Sequence, residues 1–385
     1  MDIFGYVRAD GRIGVRNHVL ILPVSYEVNQ VADQIVRRVP ESVTLRNQHG
    51  TNQWGTDLEQ TLRVYTGFAT HPNIYGVVLL GWGSEPFSVD AIGAAAEAAG
   101  KRVGVITLQQ SGGMRRAIDE GARLARVFVS EREDAARIPV PLSSIILGTE
   151  CGGSDACSGI SANPALGIVS DLVVKAGGTS ILSETTELIG AEHLLANRAA
   201  TPEIAEQILF IVKRIEQNAM KMGVDLRGAQ PAPGNIAGGI TTIEEKSLGC
   251  IHKAGSAPIV EVIEYAERPT ASGLVIMDTP GHDIEQLTGM VAGGAQVVIF
   301  TTGRGTPTGC PIAPVIKVST NSNTFHNMRD NIDMNTGTVI EGIETVAQAG
   351  QRLFQLMQHV LSGQMTQAER LHHHEFGIYR IGQSL

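Results

Sequence analysis

The stretch GTECGGSDACSGISANPALG, residues 148–167, follows the apolar run SSIIL and sets two thiols, an aspartate and several hydroxyls among glycines. A turn alone needs one or two glycines, so this density predicts a backbone that comes close to a ligand. SETTELIGAEH (183–193), MDTPGHD (277–283) and TTGRGTPTGCP (301–311) likewise follow apolar runs. Glycine pairs such as Gly152 and Gly153 ahead of a helix turn N–H groups toward an anion, so a carboxylate or phosphate suits these loops. Arg304, between two glycines at a strand end, is well placed to clamp a carboxylate with its two-pronged guanidinium. Lys317 falls inside the apolar run VIKVST, a costly place for an amine unless it is paired.

Other residues carry two readings. Lys246 in TTIEEKSLG reads equally as part of a helix-capping box. Glu184, Glu187, Glu192 and His193 lie close together, but their spacing makes a weak metal-ligand face and a helix-start cap accounts for them as well. Cys151 and Cys310 occur in Gly-rich strand-end loops, whereas Cys157 and Cys250 read as small core residues. No CxxC pair occurs, which argues against a structural zinc site. LHHHEF (371–376) reads as surface histidines.

In the first third of the chain, three apolar runs in succession end in polar, glycine-flanked loops. VTLRN leads to His49, Thr51, Asn52 and Gln53; YGVVLLGW leads to Ser84 and Glu85; RVGVITL leads to Gln109 and Gln110. The coincidence is more informative than any one residue, since His49 alone reads equally as a structural histidine.

The elements that must position these groups are short Val/Ile/Leu runs of the kind buried on both faces of a parallel sheet. Besides the three above they are VLILPV (19–24), SSIILGT (143–149), TSILSE (179–184), GLVIMDT (273–279), AQVVIFTT (295–302) and VIKVST (315–320). Helical patterns alternate with them, with Asp57 and Asp90 predicted as N-caps, Pro202 as a first helical residue, and one amphipathic helix over 342–363. The expectation is an α/β fold with mainly parallel, helix-covered sheets in Rossmann-like layers. A boundary in the charged, proline-bearing stretch 130–143 predicts an N-terminal α/β domain over 1–138 and a C-terminal α/β domain over 139–385. The second carries a long Pro/Gly-rich loop at 225–239. Ligands of such sheets sit beyond the carboxyl ends of the strands, where the polar clusters fall.

Bulk composition narrows the function. The chain has 385 residues, 44 of them glycine, with 18% charged residues and a net charge of -9. No Lys/Arg cluster is long enough to track a phosphate backbone, so nucleic acid is not an expected partner. No apolar run approaches the roughly 18 residues of a membrane span, and no secretory signal pattern opens the chain, so a cytoplasmic location away from membranes is expected. Four cysteines in this length make no disulfide framework. Neither a GxGxxG opening a helix after a first strand nor GxxxxGK[ST] occurs, which disfavours NAD and ATP.

Taken together, GYVRADGRIGVRNHVLILP, CGGSDACSGISANPALG, SETTELIGAEHLL, GNIAGGITTIEEKSLG, GLVIMDTPG, VAGGAQVVIFTTGRGTPTGCPIAPVIKVSTN and HHEFGIYRIG resemble the altronate and galactarate dehydratase family over nearly the whole chain. That family includes the large subunit of sulfolactate sulfo-lyase. The resemblance implies β-elimination of water, or of sulfite, from a 2-hydroxy acid, a homo-oligomer, and in some members a separate small subunit. It carries functional roles onto Asn17, His49, Gln53, Glu85, Cys151, Ser154, Asp155, Asn163, Glu184, Glu187, Glu192, Asn235, Lys246, Arg304, Cys310 and Lys317. His49 or Lys246 is then the base and Glu184 the acid. Asn17, Gln53, Gly152, Gly153, Ser154, Asn163, Arg304 and Lys317 bind substrate, and Cys151, Asp155, Glu85 and Cys310 hold a divalent metal, iron in several members. Dehydratase-type relatives often read HGCGQ and GLGCE where this chain reads HGTNQ and GWGSE. Thr51 and Ser84 thus replace two cysteines, which weakens the case for a soft-metal site there and supports a third reading, a non-catalytic homologue that binds a sugar acid.

Overall fold

The computed structural model describes residues 3–382, so the outermost residues of the two expected domains fall outside it. The chain opens with β1 (Ile3–Val7) and β2 (Ile13–Gly14), an antiparallel pair. Then come β3 (His18–Pro23), β4 (Val43–Thr44), β5 (Ile74–Gly81) and β6 (Arg102–Thr107), which form a wholly parallel sheet in the order β4-β3-β5-β6. β7 (Ile138–Val140) returns to pair antiparallel with β1.

The second half builds a seven-stranded sheet from β8 (Ile146–Cys151), β9 (Thr179–Leu182), β10 (Ile259–Ile263), β11 (Leu274–Met277), β12 (Val297–Thr302), β13 (Val315–Ser319) and β14 (Met334–Asn335). Their order is β10-β11-β9-β8-β12-β13-β14, every pair parallel. The first strand in chain order therefore lies inside the sheet, and the chain builds outward on one side before crossing to the other. The helix Ala162–Lys175 covers one face with Leu147, Ile299 and Ile316, and the helix Asp283–Ala292 lies on the other face with Val298 and Phe300. The carboxyl ends of β8 and β12 thus flank a point where covering helices go to opposite faces, the place where open α/β sheets bind ligands.

The central strands form because Val, Ile and Leu occupy both faces of each, and only a doubly covered sheet removes all of that surface from water. Caps set several helix starts. Thr201 accepts from the N–H of Ile204 ahead of Pro202, as the sequence predicts. Asp90 and Asp57 do not cap: Ser88 takes the first position, and Asp57 instead accepts from the N–H groups of Ile381 and Gly382 in the C-terminal segment. The helix Gly55–Ala69 starts at Trp54 with no side-chain cap. The last long helix runs over Val346–Leu361, closed at its start by Thr345 and Gln348.

The two sheets share a core. Leu20, Tyr65 and Phe68 from the first part pack in one buried cluster with Met277, Met290, Phe300, Phe376 and Ile378. Gly67 lies so close to the backbone of Ala292 that a Cβ there would stand 2.3 Å from its carbonyl oxygen. Among the described residues no helix is long and apolar enough to cross a membrane.

Candidate functional site

β8 ends in Cys151, and alternation along the strand decides what it faces. Cys151 shares the face of Leu147, beneath the helix Ala162–Lys175, whereas Glu150 points to the opposite face with Gly148, next to Met290. Beside β8, the chain leaves β9 through Ser183 and Glu184. Glu184 adopts φ 71° and ψ 58°, a left-handed conformation uncommon for a side chain of this size. Its N–H is held by the Thr279 hydroxyl at 2.7 Å, and the strained turn aims its carboxylate back at the end of β8.

There the Cys151 N–H donates to Glu184 Oε1 at 2.8 Å, while the Cys250 thiol lies 3.2 Å and the Cys151 thiol 3.6 Å from Glu184 Oε2. Glu187, at the end of the short turn Thr185–Glu187, places Oε2 3.4 Å from the Cys151 sulfur. One ligand atom from each of Cys151, Glu184, Glu187 and Cys250 fits within 4.8 Å of every other, and all four side chains are buried. Two lysines complete the cluster. Lys253, fully buried, presses its ammonium on Glu184, and Lys246 sits 2.8 Å from Glu187 Oε1 and 3.3 Å from Gln230 Oε1.

The donor set fits a divalent metal. Two negative charges face the two ammonium groups whether one proton sits on the Cys151 sulfur or on Glu187, and the set balances again if both thiols and both carboxyls are ionised around a divalent ion. No net charge is then stranded in the interior in either state. Mixed thiolate and carboxylate donors suit a borderline first-row ion.

Electrostatics follow from the same burial. Burial first, then the Cys151 charge, push the Glu187 carboxyl up to about 8 against the pull of Lys246. Burial pulls Lys246 down, but the Glu187 charge more than restores it and holds the ammonium above its ordinary range. A pocket of about 210 Å³ reaches this corner, lined by Ser154, Asn163, Lys246, Gly249 and His252 among others. The Ser154 hydroxyl beside Cys151 is buried and lacks a well-formed hydrogen bond. The long segment 225–239 folds into two short helices, Leu226–Ala229 and Pro233–Ala237, and borders the pocket. Gln230 reaches Lys246, and Asn235 Nδ2 donates to the Ser154 carbonyl at 2.9 Å. A larger groove of about 650 Å³ runs along the exposed side of the helix Pro202–Lys221. It lacks the convergent buried groups of a reaction site.

Of the residues singled out in the sequence, Cys151, Glu184, Glu187, Lys246, Ser154, Asn163 and Asn235 come together here. The others lie apart from the four-residue cluster. Asp155 lines the same pocket but is not a member of the cluster: it accepts from Ser158, Thr320 and Asn321 at 2.9–3.0 Å, a tie between loops. Glu85 closes its own loop by accepting from the N–H groups of Trp82 and Gly83, and Cys310 is sealed in the apolar core, its thiol pushed up to about 12 by burial. The Gly152 N–H is consumed by Thr301 O at 3.1 Å, so of the glycine pair it has no donor left for an anion. Gly153 takes φ +59°.

Asn17 precedes β3 at the amino end of the sheet, bonded to Arg8 and Arg132 O. Gln53 accepts from Thr61, and His49 Nε2 lies 2.8 Å from the Ile378 carbonyl, its pKa lowered by burial. Arg304 is exposed. Lys317 and Glu150 are cross-strand neighbours of Phe300 on the far face of the sheet. There the Lys317 ammonium stands 3.6 Å over the Phe300 ring and donates to Thr306 O at 2.6 Å. Cys250 and Lys253 are the members that the sequence reading missed. The available signal was the four-residue spacing from Lys246 to Cys250, which puts both on one face of the helix Ile243–Ile251.

Two family profiles match almost end to end: "D-galactarate dehydratase/Altronate hydrolase, second domain" over residues 5–133 and "D-galactarate/Altronate dehydratase, C-terminal" over residues 142–384. The chain belongs to the galactarate and altronate dehydratase family. Among its relatives in that family, the (2R)-sulfolactate sulfo-lyase subunit beta of Chromohalobacter salexigens is 35% identical over 99% of this chain and 97% of its own length. The altronate dehydratase of Bacillus subtilis is 34% identical over 99% of this chain and 78% of its own. The galactarate dehydratase (L-threo-forming) of Escherichia coli is 33% identical over 93% and 72%.

Proposed function

We propose that this family member is a lyase that eliminates water from a sugar acid such as altronate or galactarate to give a 2-keto-3-deoxy acid, with Lys246 at the reaction centre. The observation that carries the reading is the buried assembly of Cys151, Glu184, Glu187 and Cys250 with Lys246 and Lys253, of which Lys246 lines a small pocket beyond the carboxyl end of β8.

β-Elimination requires removal of a weakly acidic proton beside a carboxylate, so the site must stabilise a developing enediolate and hand a proton to the leaving hydroxyl. Lys246 lines the pocket. When its ammonium passes a proton to Glu187, 2.8 Å away, the free amine serves as base toward the proton beside the carboxylate; the ammonium so formed stabilises the enediolate oxygen and then hands its proton to the leaving hydroxyl, which departs as water. The Ser154 hydroxyl offers a further hydrogen bond from the pocket wall. Lys253 pairs with Glu184, and Glu184 in turn fixes the end of β8 through the Cys151 N–H. Cys151, Glu184, Glu187 and Cys250 would hold a divalent metal, iron being one that suits them, and such an ion supplies Lewis acidity toward substrate oxygens.

A sulfonated hydroxy acid losing sulfite is the second reading, favoured by an identity to the sulfo-lyase subunit as high as to the dehydratases. On that reading a separate small subunit is a partner. The test is to incubate the purified protein, loaded with ferrous iron under reducing conditions, with altronate, galactarate and sulfolactate, each with and without the small subunit, and to assay 2-keto acid and sulfite. Keto acid without sulfite from a sugar acid, lost by about 10²-fold or more in Lys246→Met, is expected. Sulfite release moves the assignment to the second reading, and no keto acid from any substrate refutes both.

A further inference from the structure

The cluster that positions Lys246 contains a second chemistry. Cys151 and Cys250 are free thiols, their sulfurs both lie against Glu184 Oε2 and within 4.8 Å of each other, and they come from distant parts of the chain. We propose that Cys151 and Cys250 are a paired oxidation site that closes to an intramolecular disulfide in the presence of a peroxide. One hydrogen peroxide takes two electrons from the pair: the first sulfur attacks a peroxide oxygen to give a sulfenic acid and water, and the second displaces that hydroxyl as water, forming the S–S bond. Both thiol protons leave in the two waters.

Three features favour this outcome over oxidation of a single sulfur. The sulfurs already lie within 4.8 Å, so they need to close by less than about 3 Å to reach the ~2.05 Å of a disulfide, and Cys250 sits in the last turn of the helix Ile243–Ile251 opposite a strand-end cysteine whose backbone pairs with Thr301 of β12. The helix already runs at backbone contact with the β8 loop: a Cβ on Gly159 would stand 2.8 Å from Gly249 Cα. Finally, a disulfide is neutral and leaves Glu184 and Glu187 balanced by Lys253 and Lys246, whereas a sulfinate would add an uncompensated charge to a buried site. The pocket lined by Lys246 and Gly249, neighbours of Cys250 along the same helix, is the proposed approach from solvent.

The consequence is mutual exclusion. A disulfide withdraws two of the four donors, so an ion held by both thiolates protects them, and oxidation removes the site. The pairing stands on thiol geometry alone; its effect on turnover rests on the function proposed above, and the readouts below keep the two apart.

The experiment uses the full chain and its Cys157→Ser variant, which removes the most accessible thiol and lies outside the cluster. Metal-free protein is exposed to about one equivalent of hydrogen peroxide, quenched with an alkylating agent, unfolded and mapped by mass spectrometry. Thiols should fall from four to two in the wild type, a peptide joining Cys151 to Cys250 should appear, and dithiothreitol should reverse it. Protein preloaded with cobalt(II) should show a thiolate-to-cobalt absorption band, resist the oxidation, and fail to develop that band if oxidised first. Loss of Cys151 or Cys250 as sulfinic acid, intermolecular dimers in Cys157→Ser, or retention of both thiols until the protein unfolds overturns the proposal.

Discussion

The strongest energetic commitment in the site is the Glu184–Lys253 pair, whose side chains are both 0% exposed. Glu184 also accepts the Cys151 N–H and the Cys250 thiol, so it is the hub of the cluster. Deleting one partner of a buried ion pair leaves the other charge uncompensated, at about 3–5 kcal/mol. Glu184→Gln strands the Lys253 ammonium, and Lys253→Met strands the Glu184 carboxylate, so each single variant should lose that amount. The double variant removes both charges together. Gln keeps an acceptor for the Cys151 N–H and Met keeps the volume of the lysine stem, so its loss should be about 2 kcal/mol or less, at least ~3 kcal/mol short of the sum of the singles. The assay is equilibrium urea denaturation followed by circular dichroism at pH 7, with chelator and dithiothreitol present so that neither metal nor disulfide contributes. If the single losses add in the double variant, or if either single costs under ~1 kcal/mol, the two groups do not form the buried pair described here and the charge-balance argument for the cluster fails.

Glu150 should behave as a carboxylic acid rather than a carboxylate. It is fully buried, both its oxygens lack a hydrogen-bond partner among the described residues, and burial first, then the Asp283 charge, push its pKa well above the ordinary 4.5. Above that value the native state keeps a proton that the unfolded chain has lost, so Glu150 lowers stability as pH rises, by up to ~1.4 kcal/mol per pH unit. Glu150→Gln should therefore be at least as stable as wild type at pH 7 and show a shallower decline as pH rises above 5 in denaturant midpoints; an unchanged slope contradicts this. Gly67→Ala, which forces a Cβ against the Ala292 carbonyl, should cost about 1–3 kcal/mol by separating the helices Gly55–Ala69 and Asp283–Ala292. A melting temperature equal to wild type would show that the close approach is not required.

Nine apolar runs in the sequence correspond to β3, β4, β5, β6, β8, β9, β11, β12 and β13, because a strand covered on both sides has no alternative to continuous Val, Ile and Leu. The five strands it did not reveal are weak in that signal. β10 carries Glu261 and is half-exposed at a sheet edge, β7 contains Pro139, and β2 and β14 have two residues each. β1 alternates buried and exposed positions and earns its place by pairing with β2 and β7. Asp57 shows the same limit at the level of one residue: local spacing makes it a cap, but its partners are Ile381 and Gly382, more than three hundred positions away.

From the sequence alone came the fold class and the strand-end placement of the polar clusters, since these follow from residue type and near neighbours; Glu184, Glu187 and Lys246 stood out only through the family resemblance, which grouped Cys151 with Asp155, Glu85 and Cys310 instead. Which thiol meets Cys151 was settled only by packing. Cys250 lies about a hundred positions further on and reads locally as core, and it reaches the cluster because its helix docks over the ends of two adjacent strands. Strand alternation put Glu150 on the face opposite Cys151, the pairing of β8, β12 and β13 placed Lys317 there with it, and packing tied up Asp155, Glu85 and the Gly152 N–H in bonds of their own. Spacing along a chain constrains what one element presents; it does not constrain which elements face each other across a core.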